Sequence, residues 1–167
     1  MKTETLFGKN SDEWQTPLEL FQDLDREFHF DLDACATHEN HMVDAYFTKD
    51  EDGLEQEWEG HTVWCNPPYS QIKKWVRKCY YEGHKPNTVV VLLVPSRTDT
   101  QWFQNYVLHR AELRFINGRL RFNGYNNNAP FPSALVIFRG AVEKECMQKS
   151  KIARSEERFS RNAETDI

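Results

Sequence analysis

Four consecutive residues, Asn66-Pro67-Pro68-Tyr69, carry the sharpest chemical signal in this chain. The Asn side chain offers a carbonyl acceptor. Proline has no N–H, so the carbonyls beside it are not drawn into a regular ladder. The tyrosine ring supplies a flat stacking face. Such a set suits a planar amine, for example the exocyclic N6 of adenine, whose lone pair is delocalised into its ring. Two acceptors on its two N–H bonds would localise that lone pair and aim it at an electrophile, with the Tyr69 ring holding the base. A bare Asn-Pro-Pro is also an ordinary turn. The setting decides between the two: a β-prone run, His61 to Cys65, precedes the motif, and an amphipathic helix follows it.

The rest of the chain must position those groups. Thr16-Pro17-Leu18-Glu19 reads as a capping box, with Thr16 as N-cap and Pro17 at the first helical position. Leu20, Phe21, Leu24 and Phe28 follow at helical spacing. Residues 28–33 alternate apolar and polar and read as a strand ending at Asp33. A short strand is expected near Val43 to Phe47, before an acidic loop around Asp50 to Gly53. After the proline motif, Ser70 is placed to cap a helix carrying Ile72, Trp75, Val76, Cys79 and Tyr80 on one face, with Gly83 as its stop. Val89 to Val94 is a continuous apolar run, as in a strand buried on both faces. Thr98 and Gln101 suggest a second capping box. Leu113–Ile116, Leu120–Phe122 and Ala134–Phe138 are further strand candidates. Helices alternating with apolar strands predict an α/β sandwich around a mostly parallel sheet, whose ligands bind at the carboxyl ends of the strands. Asp33, Asn66 and Pro95 to Arg97 all fall at predicted strand ends, on one rim.

The 167 residues suit one domain. Residues 14–140 are expected to form it, flanked by a flexible segment 1–13 and a charged tail 141–167 that is a loose helix or disordered. The longest aliphatic run has six residues, against the ~20 of a membrane span, and the N-terminus lacks a signal-peptide pattern. A cytoplasmic protein with reduced thiols is expected. Net charge is −5, but it is unevenly spread. Residues 1–60 hold 17 acids and 4 bases, whereas residues 61–142 hold 3 acids and 11 bases. Such asymmetry suits either a polyanionic partner or pairing of the two halves with each other. Cys35, His38 and His41 are spaced as a possible metal group, but no second Cys or His pair completes the four ligands of a zinc site. No metal is expected.

The motif resembles the catalytic signature of S-adenosylmethionine-dependent amino methyltransferases. From residue 12 to 139 the chain resembles one family in particular, the phage-type DNA N6-adenine methyltransferases of the Dam group. The similar segments are 12–17 (DEWQTP), 30–36 (FDLDACA), 52–54 (DGL) with Trp58, and 64–70 (WCNPPYS). Further on come 95–100 (PSRTDT) with Trp102-Phe103, 118–122 (GRLRF) and 129–134 (APFPSA). The resemblance implies a minimal Rossmann-like class I methyltransferase sandwich that uses S-adenosylmethionine to methylate N6 of a flipped-out adenine. It makes Asn66, Pro67, Pro68 and Tyr69 the catalytic clamp. Trp14, Gln15, Thr16 and Pro17 would cradle the methionine end of the cofactor, and Asp31, Asp33, Ala34 and Cys35 would form the first cofactor strand and its turn. Asp50 or Asp52 would read the cofactor's ribose or adenine, and Asn66 would border the same site. The usual glycines after the first strand are replaced here by Ala36 and Thr37.

The implied partner is double-stranded DNA, with the protein a monomer or weak homodimer in a bacterial host. A base leaving the duplex needs backbone contacts, for which Arg97, Arg119 and Arg121 are placed. The 118–131 stretch reads either as a mobile DNA-contacting loop, with Tyr125 at its centre and Asn126 able to bond adenine, or as an ordinary loop of turn formers. Related clamps act on cytosine N4 or on protein glutamines, so another amine is the alternative substrate.

Overall fold

The computed structural model describes residues 14–142. The expectations for residues 1–13 and for the tail from residue 143 lie outside the described residues. In chain order the elements are α1 (Leu18–Phe28), β1 (Leu32–Asp33), β2 (Thr62–Cys65), α2 (Ile72–Gly83), β3 (Val89–Pro95), α3 (Gln101–Tyr106), β4 (Glu112–Phe115) and β5 (Ser133–Arg139). The strands form one sheet in the order β1-β2-β3-β5-β4. β1, β2 and β3 are parallel neighbours, and β5 runs antiparallel between β3 and β4. The expected mostly parallel α/β sandwich is the fold observed.

Alternation along β3 divides the core. Val90, Leu92 and Val94 pack with Trp75, Val76 and Cys79 of α2 and Trp102 and Phe103 of α3. Val91 and Leu93 face the other way, against Phe21, Leu24 and Phe28 of α1. A strand buried on both faces has no polar position to give up, which explains its unbroken Val-Leu run. The second face is closed by α1 together with Phe122 and Ala129 of the 118–131 loop, both nearly fully buried.

Several local expectations give way to tertiary contacts. α1 starts at Leu18, and Pro17 rather than Thr16 occupies its N-cap position, with no side-chain cap. The Thr16 hydroxyl is engaged elsewhere, by Asn66. Phe28 ends α1, and His29 turns the chain in a left-handed conformation, so β1 is only two residues long. The 43–47 segment lies beside β1 without forming a strand. Asp33 N–H donates to the Ala45 carbonyl at 2.9 Å, and Phe47 N–H donates to the Asp33 carbonyl at 3.0 Å. Ser70 sits inside a 3₁₀ turn, Tyr69–Gln71, that precedes α2. Thr100, not Thr98, occupies the N-cap position of α3. Leu120–Phe122 forms no strand, and Asn123 makes a single bridge to Gln15 instead.

Candidate active site

Because β1, β2 and β3 are parallel, their carboxyl ends share one rim, and Asp33, Asn66 and Pro95 stand along it. Two cavities open there. The larger, about 640 Å³, is bounded by residues 14–16, the turn after β1, the 47–55 loop, Asn66 and Pro68, and Trp75 of α2. The smaller, about 580 Å³, is bounded by Tyr69, Lys73, Arg97, Trp102 and Phe131. Trp14 lines both. Asn66 and Pro68 therefore face one cavity and Tyr69 the next, with the motif forming the wall between them.

The geometry of Asn66 is decided by its neighbours. Its Nδ2 donates to the Trp14 carbonyl and, at 3.0 Å, to the Thr16 hydroxyl. A carbonyl can only accept, so the amide nitrogen must face it and the orientation of the amide follows. The Oδ1 is left buried and without a hydrogen-bond partner among the described residues. A buried acceptor without a donor costs about 1–3 kcal/mol, which makes Oδ1 a candidate acceptor for an incoming N–H group. Tyr69 stands edge-on to Phe131, with ring centroids 5.6 Å apart. Burial pushes its phenol well above the usual range, so the ring stays neutral.

Asp33 organises the floor of the larger cavity. Its carboxylate accepts the N–H of Cys35 at 3.3 Å and of Met42 at 3.0 Å, closing the turn after β1. Within that turn Asn40 Oδ1 accepts the Thr37 N–H at 2.6 Å. These side-chain bonds shape a loop that carries no glycine. Asp33 is 2% exposed, and burial raises its pKa to about 6 despite the two N–H groups and the nearby His41. A buried carboxylate with no ion pair among the described residues suits a cationic ligand, which would restore its charged form.

Of the residues expected to hold a cofactor, the 14–16 segment, the 33–35 turn, Asp52 and Asn66 line this cavity. Three are corrected. Asp31 lies two residues back along the extended chain, about 6.6 Å toward the opposite rim. There its carboxylate accepts the Thr62 N–H at 2.8 Å and faces His61. Asp50 is exposed and outside the cavity, whereas Asp52 and Glu55 of the same loop line it. Pro17 belongs to the start of α1 rather than to the cavity lining. Phe47, Lys49 and Trp75 line the cavity but were not expected there. Trp75 is legible only as a core residue in the helical stripe, and it is both.

Gly53 locks the acidic loop against the sheet. A Cβ at this position would lie 2.1 Å from the Ala34 carbonyl oxygen and 3.2 Å from the Trp75 ring. Trp58, fully buried, donates its indole N–H to the Gly53 carbonyl at 3.1 Å. Gly53→Ala is expected to cost about 1–3 kcal/mol of stability, the usual range for overpacking. It should also open the cavity wall and weaken cofactor binding. A thermal melt read beside calorimetry checks both, and an unchanged melting temperature would mean that the loop yields freely.

The basic half is only partly available to a polyanion. Arg114 pairs with Glu27 and Glu112, Arg139 with Glu112, and Lys85 with Glu57 and Glu82. Part of the charge asymmetry is thus satisfied within the fold. Arg97 and Lys73 stand at the smaller cavity, and Arg119 and Asn126 are exposed on the 118–131 loop. Tyr125 is not the free ring at a loop centre. It stacks on Trp14 at 4.7 Å and 22°, and its carbonyl accepts from Arg121 Nε at 3.3 Å. Burying Phe122 and Ala129 pins the loop and commits Tyr125 to this contact.

Comparison with known proteins adds to this geometry. The chain is 33% identical over 116 residues to the DNA N-6-adenine-methyltransferase of Haemophilus phage HP1 (strain HP1c1), which covers 68% of this chain and 67% of that one. It is 32% identical over 111 residues to the DNA N-6-adenine-methyltransferase of Escherichia phage T1, where the match covers 65% of this chain but only 46% of the relative. Among solved structures, a SAM-dependent O-methyltransferase from Thermotoga maritima matches at 10% identity and a TM-score of 0.34, covering 74% of this chain and 46% of that one. That likeness is too slight to bear on the fold, which stands on the sheet order above. Residues 3–158 match the family described as DNA N-6-adenine-methyltransferase (Dam), and with the Asn66–Tyr69 motif set at the strand ends the chain belongs to that family.

Proposed function

We propose that this protein is a site-specific DNA methyltransferase that methylates N6 of an adenine swung out of the duplex. The observation that carries the reading is the bare, buried Oδ1 of Asn66, a residue of the larger cavity whose motif neighbour Tyr69 lines the smaller one. The larger cavity fits S-adenosylmethionine, which supplies an electrophilic methyl group when bound. Asp33 would meet its cationic end, and Phe47, Trp75 and Asp52 would hold the remainder. The smaller cavity would receive the adenine, with Tyr69 and Phe131 as ring walls.

Within that arrangement Asn66 Oδ1 accepts one N6–H bond. The Pro68 carbonyl already accepts the Gln71 N–H at 3.0 Å, but a carbonyl has two lone pairs, so the second acceptor is either of the two proline carbonyls. Oδ1 and that carbonyl together hold the amine lone pair toward the larger cavity. No side chain has to remove a proton before transfer, because the amine is already neutral; the methylated amine would then lose its extra proton to solvent. The Tyr69 phenol stays protonated and serves as a packing ring.

DNA would lie over the smaller cavity, with Lys73 and Arg97 at its mouth and Arg119 and Asn126 on the adjoining loop. Lys73→Ala and Arg97→Ala are expected to weaken DNA binding, and each lost phosphate contact should flatten the salt slope by about one unit. Arg114→Ala, which removes an internally paired guanidinium, should leave the slope unchanged. Fluorescence anisotropy over a salt series separates them, and equal slopes for all three would place the DNA elsewhere. No helix among the described residues is long and apolar enough to cross a membrane. We place the enzyme in the cytoplasm of a bacterial host, acting as a monomer or weak homodimer. The test of function is incubation with methyl-labelled cofactor and unmethylated DNA, followed by nucleoside analysis. Label in N6-methyladenine supports the reading. Label in cytosine or in protein overturns it.

A further inference from the structure

We propose that Thr16 is a positioning residue for Asn66 and that the 118–131 loop holds Thr16 in place through Asn123. This rests on the reading of Asn66 Oδ1 as the acceptor for the reacting amine. The Asn66 amide nitrogen has two hydrogens and two partners, the Trp14 carbonyl and the Thr16 hydroxyl. The Trp14 carbonyl decides which end of the amide faces it. The Thr16 hydroxyl decides the twist. With both N–H groups held, Oδ1 can point in only one direction, and it does so without a partner of its own. Preorganisation of this kind stabilises a transition state because nothing has to reorient during the reaction.

Thr16 is itself held from the loop. Its hydroxyl is not spent on capping α1, whose N-cap position is the next residue. Its carbonyl accepts from Asn123 Nδ2 at 3.0 Å. The Gln15 carbonyl accepts the Asn123 backbone N–H at 3.1 Å, the single bridge that ties this segment to the loop. Trp14 is clasped by Tyr125, Phe122 and Phe131, all from the same loop region. Residues 14–16 lie outside any helix or continuous strand, so their position depends on these contacts. Arg119 and Asn126, expected to meet DNA, sit on the same loop. The loop that carries them is therefore tied to Asn66 through Asn123 and Thr16.

Three variants of the full chain test this. Thr16→Val removes the hydroxyl and keeps the branched shape, and Thr16→Ser restores the hydroxyl. Asn123→Asp keeps the size of an exposed side chain and removes its N–H donor. Single-turnover methyl transfer, calorimetric cofactor affinity and hydrogen exchange of the Asn66 side-chain amide by NMR are read for each. Thr16→Val is expected to slow transfer about tenfold or more, since misaligned reacting groups lose rate steeply. Thr16→Ser should recover it. Thr16→Val and Asn123→Asp should speed Asn66 amide exchange about 2–10-fold, the effect of one hydrogen bond; Asn123 lies outside the cavity lining, so its variant should do so with cofactor affinity unchanged. Unchanged amide exchange in Thr16→Val overturns the positioning role. So does a loss of cofactor affinity that accounts for the whole loss of rate, which would make Thr16 a ligand contact. Amide exchange needs no substrate, so the two failures are distinguishable. Slow, hydroxyl-dependent exchange in a protein that never methylates adenine would support the positioning role and overturn the functional reading alone.

Discussion

Asn66→Ala is expected to leave a folded, cofactor-binding protein whose methyl transfer is slower by about 100–1000-fold, the usual consequence of removing one preorganised polar group from a transition state. Fold should survive because the groups left behind are tolerant. The Trp14 carbonyl and the Thr16 hydroxyl each lose a donor but lie beside an open cavity where water can replace it. Cofactor affinity should survive because Asp33 and the 47–55 loop remain. Asn66→Asp should fare no better than Ala, since a carboxylate oxygen would then face the Trp14 carbonyl. Single-turnover assays beside calorimetry give the measurement. A folded Asn66→Ala protein that methylates at near-normal rate would falsify the clamp.

Asp33→Ala is expected to weaken cofactor binding by about 10–100-fold, from loss of a charge-assisted contact and release of the Cys35 and Met42 N–H groups that the carboxylate holds. The same residue predicts a pH dependence whose sign can be worked out. Burial raises the folded pKa from 3.8 to about 6, so the folded protein without ligand binds this proton more tightly than the unfolded chain does. Asp33 therefore lowers stability as pH rises through that window and has no further effect above it. Binding runs the other way. A cationic ligand needs the ionised carboxylate, so affinity should be full above about pH 6 and fall by up to tenfold per pH unit below it. Asp33→Asn, which cannot titrate, should bind weakly at every pH. Cofactor affinity that stays level through this range in the wild type would remove Asp33 from cofactor recognition.

Much of this protein is legible in its sequence, for identifiable reasons. A strand buried on both faces must be apolar throughout, so Val89 to Val94 could be read directly. The α2 stripe of Ile72, Trp75, Val76 and Cys79 reports a single buried helix face. The Asn-Pro-Pro-Tyr motif is local, because the acceptor, the ladder-free carbonyls and the ring are contiguous. Its placement at a strand end follows from the prolines that stop β2. Parallel order then puts Asp33, Asn66 and Pro95 on one rim without further information.

What only the tertiary structure decided are the contacts between residues far apart in the chain. Thr16 has the composition of a helix cap, but a hydroxyl goes to the partner that most needs it, and the Asn66 amide lies 50 residues away in sequence. Asp31 and Asp33 are similar acids in a strand-like pattern, and only the fold shows Asp31 engaged with Thr62 and His61 while Asp33 closes the turn after β1. Tyr125 sits in a run of turn formers that reads as a loop open to solvent. Burial of Phe122 and Ala129 closes that loop on Trp14, because the sheet face left uncovered by α1 has to be shielded from water. Local propensity and periodicity set the elements and the motif, since both depend on near neighbours. The aim of the motif depends on distant groups competing for hydrogen bonds and buried area, and only the assembled fold settles that competition.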